Sequence, residues 1–281
     1  MDARSTPLVS IITPVYNGAK YLDELIASVR DQDYPAIEHI IIDDGSTDNG
    51  ATVAILRKYP HLRWWTRENK GQYATMNEGL ETARGDLVCF ISADDLMTPG
   101  AVRCIVEFFQ EHPDYDAVYG RYFWIDENDA PHRAQNIIDH APLNLFCHYT
   151  FIIHAALYVR RNYLLTNALR FDGSLKYVGD YDWILRVIKS GAKIEYVRKN
   201  FSFIRSHHEQ TSCRNVVAMS EERNRVLRKH GISPIVFSLV YSTAYWYSAL
   251  TRLAKALYKN GPKGAFQLIH DWWQRRRDRK L

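Results

Sequence analysis

Four short apolar, β-branched runs in the first hundred residues alternate with stretches of helical period, and this alternation restricts the chain to few folds. Val9-Ser10-Ile11-Ile12-Thr13, Ile37 to Ile42, Leu62 to Thr66 and Asp86 to Ile91 are predicted as strands. Between them lie helical stretches from Gly18 to Arg30, with Asn17 as the expected N-cap, from Gly50 to Lys58, and from Gly71 to Arg84. Repeated β-α-β with buried strands predicts a parallel sheet covered on both faces, with ligand sites at the strand tips. Tyr16, Asp44, Gly71 and Asp94 all fall just after strands, on one expected edge.

Beyond Pro113 the alternation loosens. A strand is expected over Ala117 to Tyr122, a polar loop-like insertion over Asp126 to Pro142, an apolar run over Phe151 to Arg160, a helix over Tyr181 to Ser190 stopped by Gly191, and an extended run over Lys193 to Phe203. From Met219 the pattern is helical. Ile235 to Thr251 holds no charge over 17 residues but carries Tyr241, Tyr245, Trp246 and Tyr247. This suits an interfacial or core-packed helix better than a spanning one.

The run Leu87 to Ile91 stops at Ser92-Ala93-Asp94-Asp95, ahead of a helix start near Pro99-Gly100. Adjacent carboxylates at a buried strand tip repel, so one stays protonated or a cation or donors neutralise them. A divalent metal with a phosphate-bearing ligand is the first hypothesis. Asp43-Asp44-Gly45-Ser46-Thr47-Asp48 has turn composition, yet it shares that expected edge, where an acid can accept from a ribose hydroxyl or a base N–H. Tyr16 offers an aromatic face for a planar base.

The net charge of +4 is mild, and from Lys259 onward seven basic residues stand against two acidic ones. No nucleic-acid recognition signature accompanies them, so nucleic acid is excluded as the expected partner and peripheral contact with an anionic membrane is preferred. The four cysteines are far apart with no C-x-x-C, which suggests packing in a reducing compartment. No apolar stretch precedes the first strand, so a cytoplasmic location, at the inner face of the membrane if the tail binds there, is expected.

Val9 to Asp48, Asn69-Lys70-Gly71-Gln72-Tyr73, Gly85-Asp86, Ala93-Asp94-Asp95, Tyr177 to Arg186 and Arg205 to Ser212, in this order, resemble the family 2 glycosyltransferases. The resemblance implies inverting enzymes of GT-A fold, an α/β Rossmann-like, mostly parallel mixed sheet flanked by helices. It implies a catalytic domain over 1–212, with a nucleotide-binding half to about 112 and an acceptor half from 113, and a helical extension over 213–281. It places Pro14, Tyr16 and Asp44 around the nucleoside and Lys70 and Gly71 near the donor. Asp94 and Asp95, with His207, would hold Mn2+ or Mg2+ against the diphosphate. The stricter pattern has Asp at Ser92, which leaves Asp94 and Asp95 as alternative direct ligands.

Asp180 matches the family's catalytic base, against the plain alternative of a helix N-cap; Asp182 is expected to be structural. Trp183 and Arg186 line an acceptor pocket or simply pack, His154 is expected as a core-edge histidine, and His208 has no assigned role. The implied reaction moves a sugar from a nucleotide-sugar donor, a UDP-sugar first, to a glycan or lipid-linked saccharide in cell-surface polysaccharide synthesis. The rivals are a nucleotidyltransferase, for which Pro14-Val15-Tyr16-Asn17 is the wrong loop, and a non-catalytic nucleotide-sugar-binding protein.

Overall fold

The structure, a computed structural model, describes residues 6–134, 152–208, 210, 214–235 and 237–238. The chain divides into two compact units, 1–137 with 148–230, and 138–147 with 231–281. The sheet and its helices belong to the first. Most of the aromatic stretch from Ile235 and the whole basic tail lie outside the described residues.

Among the described residues a nine-stranded sheet comprises β1 (Val9–Val15), β2 (Ile37–Asp43), β3 (Arg63–Thr66), β4 (Leu87–Phe90), β5 (Leu96–Met97), β6 (Ala117–Ile125), β7 (Pro131–Ala134), β8 (Leu157–Arg160) and β9 (Ile194–Arg205). The order is β3-β2-β1-β4-β8-β6-β9-β5, with β7 on β6. β3, β2, β1 and β4 are mutually parallel, so their carboxyl ends share one edge. β8 then enters antiparallel to both β4 and β6, making the sheet mixed.

The helices are α1 (Leu22–Arg30), α2 (Ala51–Leu56), α3 (Gln72–Thr82), α4 (Ala101–Glu111), α5 (Arg161–Thr166), α6 (Gly179–Lys189) and α7 (Val216–Lys229). Period-two alternation sends Ile11 to one face, with Leu25 and Ile26 of α1 and Ile105 and Phe109 of α4. Ile12 goes to the other, with Met76 and Leu80 of α3 and Trp183 and Ile184 of α6. A doubly covered sheet follows.

Three local expectations change. α1 starts at Leu22, and Asn17 does not cap it: its φ is 52°, and its Oδ1 accepts the Thr47 N–H at 2.7 Å, tying the β1 tip to the β2 turn. β1 continues through Pro14 to Val15. The Ile12 backbone faces β4, its carbonyl accepting from the Ile91 N–H at 3.0 Å, and Pro14 has the same parity. The missing N–H of Pro14 therefore points where β4 pairing has already ended at Phe90. The polar insertion also contributes β7, paired to β6 across a register shift between Trp124 and Ile125.

Candidate active site

The β2 tip is a closed set of hydrogen bonds. Asp43 accepts from Ser46 N–H and Oγ and from Thr66 Oγ1, at 3.2, 2.5 and 2.6 Å. Asp44, 3% exposed, accepts from Lys70 N–H at 2.8 Å and Gly71 N–H at 2.9 Å, and pairs with Arg67. The Asn69-Lys70-Gly71 loop is thereby fastened to the strand. Gly45 makes this possible: its φ is +73°, and a Cβ there would lie 2.9 Å from Asn69 N. Around it, Tyr16 is half exposed, with its hydroxyl 3.3 Å from Thr47 Oγ1. Pro14 is buried within β1, and Lys70 is exposed.

At the β4 tip the two carboxylates diverge. Asp95 turns inward and accepts the Arg205 N–H at 3.1 Å. Burial, then the charge of Asp94, pushes its carboxyl well above the usual carboxylate range. Asp94 keeps a side chain 27% exposed, with Oδ2 at 3.0 Å from His207 Nε2 and 3.4 Å from Gln210 Nε2. Beneath them lies the fully buried Arg205, the last residue of β9. Its Nε donates to the Asp94 carbonyl at 2.9 Å, and its other nitrogens pair with Asp129 and Glu24, each at 2.5 Å. Its guanidinium also sits 4.3 Å from the Tyr21 ring centre. This cation holds the acidic turn and the His207 segment together.

Asp180 stands in the first turn of α6, whose N-cap is Val178, so it is not the cap. Its Oδ1 accepts from Tyr181 N–H at 2.8 Å and from the Tyr73 hydroxyl at 3.3 Å, and its Oδ2 lies 3.3 Å from His154 Nδ1. Burial pushes its carboxyl up, but the hydrogen bond and the charge of His154, then the hydrogen bonds from Tyr181 and Tyr73, outweigh it and hold the group below its ordinary value. Burial and the same carboxylate keep the Tyr73 hydroxyl protonated far above its usual range. Tyr73 comes this close because position 179 is glycine; a Cβ on Gly179 would meet its ring at 2.6 Å. The side chain of Asp180 is 30% exposed, so a lone pair remains accessible.

The neighbours are committed to packing. Asp182 is fully buried and held by Arg186, His230 and Lys229 at 2.7, 2.9 and 3.3 Å. Trp183 is fully buried, stacked on Phe171 at 4.7 Å, with its indole N–H donated to Leu169. His208 is exposed beside Glu127. Sequence reasoning passed over the roles of Arg205, Tyr73 and His154. The signal within reach was Arg205 itself, a lone cation closing an apolar strand end.

Among the described residues no three His, Cys, Asp or Glu side chains converge on one point. A closed all-protein cage is thus absent there. A hard cation that bridges substrate phosphates needs only one or two protein ligands and keeps waters. Asp94 and His207 fit that donor set, and an imidazole beside a carboxylate suits Mn2+ somewhat better than Mg2+. Asp95, buried and committed to Arg205, fits it poorly.

The family model described as "Glycosyl transferase family 2" matches residues 10–179. The chain belongs to glycosyl transferase family 2. Its relatives include an uncharacterized glycosyltransferase of Rickettsia felis, 30% identical over 266 residues, covering 91% of this chain and 43% of that protein. The chondroitin synthase of Escherichia coli is 28% identical over 259 residues, covering 89% and 35%. The chain thus spans less than half the length of these relatives. TarS of S. aureus (residues 1–349) in complex with UDP-GlcNAc superposes with a TM-score of 0.65 at 19% identity, covering 95% of this chain and 81% of that 1–349 segment. The mannosyltransferase PcManGT of Pyrobaculum calidifontis in complex with GDP-Man and Mn2+ gives 0.58 at 18%, covering 96% and 81%. At such identities the likeness shows the fold alone: this family 2 chain has the GT-A glycosyltransferase architecture. Among the described residues no helix is long and apolar enough to cross a membrane.

Proposed function

We propose that this chain is a metal-dependent, inverting glycosyltransferase that moves a sugar from a UDP-sugar to a hydroxyl of a glycan or lipid-linked saccharide. The observation that carries the reading is the division of labour among acids. Asp94 is partly open beside His207, whereas Asp180 is partly open and held ionised by three donors. Asp180 accepts the proton of the attacking hydroxyl, on the face opposite the leaving nucleotide. Asp94 and His207 hold Mn2+ or Mg2+. When bound, the ion supplies Lewis-acid stabilisation of the departing diphosphate. Asp44 acts mainly by fastening the Lys70-Gly71 loop, and Tyr16, Pro14 and that loop shape the nucleoside site. TarS with UDP-GlcNAc and PcManGT with Mn2+ support the donor class and the metal by analogy of fold.

The test is UDP release from a panel of UDP-sugars with and without Mn2+. Asp180→Ala is expected to abolish transfer while UDP binding by calorimetry persists; an active variant overturns the base assignment. The basic tail supports peripheral attachment to anionic lipid, checked by flotation with phosphatidylglycerol vesicles against a chain ending after Ser238. Equal flotation of both sinks that part.

A further inference from the structure

Of the donors to Asp180, His154 is the one whose ring is engaged on both sides, by Asp180 and by Ser92. It lies in a 3-10 turn, His154–Ala156, immediately before β8. β8 runs antiparallel to β4 with Cys89 opposite Tyr158, so the residues entering β8 stand beside those leaving β4. That places His154 Nε2 3.2 Å from Ser92 Oγ, while Nδ1 reaches Asp180 Oδ2 at 3.3 Å. The imidazole is 7% exposed, and nothing about apolar packing requires a histidine with both nitrogens engaged.

We infer that His154 is the positioning residue of Asp180: protonated on Nδ1 and anchored through Nε2 by Ser92, it holds the carboxylate with one lone pair aimed at the acceptor. This rests on the reading of Asp180 as general base. The tautomer follows from the partners. Asp180 is acceptor-only when ionised, so an unprotonated Nδ1 would set lone pair against lone pair. The proton therefore sits on Nδ1, and in the neutral ring Nε2 must accept, which only a donor can satisfy. Ser92 can donate there, and its oxygen can equally accept from a charged ring, so the contact with Asp180 alone fixes the proton on Nδ1. Oδ1 is already filled by Tyr181 N–H and Tyr73. With His154 on Oδ2, a single lone pair of that oxygen is left for the acceptor hydroxyl. The order of contacts matches a Ser-His-Asp triad, but here the carboxylate is the open end and the serine orients the ring.

Two readouts test this. Long-range 1H–15N spectra of the labelled full chain, with His154 assigned by its loss in His154→Asn, are expected to show the proton on Nδ1; a ring with no proton on Nδ1 overturns the proposal whatever the reaction is. In kinetics with the best-turned-over UDP-sugar, His154→Phe is expected to lower kcat about 100-fold with donor KM within about twofold, the scale of a misplaced base. His154→Asn, whose Nδ2 can donate where Nδ1 did, is expected to recover to within about tenfold of wild type. Asn no better than Phe, or kcat and KM shifting together, overturns it. Ser92→Ala should cost only a few-fold, and complete loss would place Ser92 at the reacting atoms and overturn it too. A wild type inert on every UDP-sugar overturns the functional reading instead, and the tautomer alone then decides the His154 contact.

Discussion

Two Asp-Asp pairs stand at the same sheet edge, at the ends of β2 and β4 on either side of β1, and they have opposite fates. At Asp43-Asp44 every carboxylate is taken up by protein donors, from Ser46 and Thr66 on one side and Arg67, Lys70 and Gly71 on the other. At Asp94-Asp95 the inner member is buried and accepts the Arg205 N–H, while the outer one, although touched by His207 and Gln210, keeps access to solvent. Adjacent acids at a strand tip therefore do not define a site. The site is where the fold supplies fewer donors than the acids can use, so that a ligand or cation completes the set.

Breaking the open pair should cost the most. Asp94→Ala is expected to lower transfer by at least about 100-fold and to remove the effect of Mn2+ on UDP binding, read by calorimetry; metal-sensitive binding in that variant would erase the distinction between the pairs. In the closed pair the loss should be in stability. Asp44→Ala removes one of the two carboxylates paired with Arg67, leaving Glu78, and strands the Lys70 and Gly71 N–H groups, at an expected cost of about 3 kcal/mol in urea unfolding.

Asp95→Asn sharpens the contrast within one pair. It keeps an acceptor for Arg205 and removes the charge that burial and Asp94 oppose. Because the folded state binds this proton more tightly than the unfolded chain, wild-type stability should fall as pH rises from the ordinary aspartate range toward the raised folded value. The variant, measured in EDTA, should lack that decline and gain about 1 kcal/mol at neutral pH. A wild type with the same pH slope as the variant would place Asp95 among ordinary carboxylates. The smallest effect is expected for Thr66→Val, which removes one of several bonds to Asp43, at about 0.5 kcal/mol.

The amino-terminal half is largely legible because its information is local. Strands of β-branched residues, turn residues at their tips and helical spacing are enough to put Asp44, Asp94 and the Lys70-Gly71 loop on one edge. Helix starts are less so: Asn17 has capping chemistry, but its side chain is used across strands by Thr47. The antiparallel entry of β8 is not legible either, since an apolar run from Phe151 to Arg160 carries no sign of direction or partner. His154 and Ser92 consequently read as a core-edge histidine and a departure from a pattern, although the register of β8 on β4 makes them neighbours.

The parallel α/β core, the family and the acids able to do chemistry are legible along the chain, because burial patterning and residue type are written in consecutive positions. Which of those acids are already satisfied depends on contacts made across the fold. Arg205, His207 and His154 reach Asp95, Asp94 and Asp180 across 26 to 113 positions of chain, and a carboxylate's state depends on the donors that arrive, which no local pattern records.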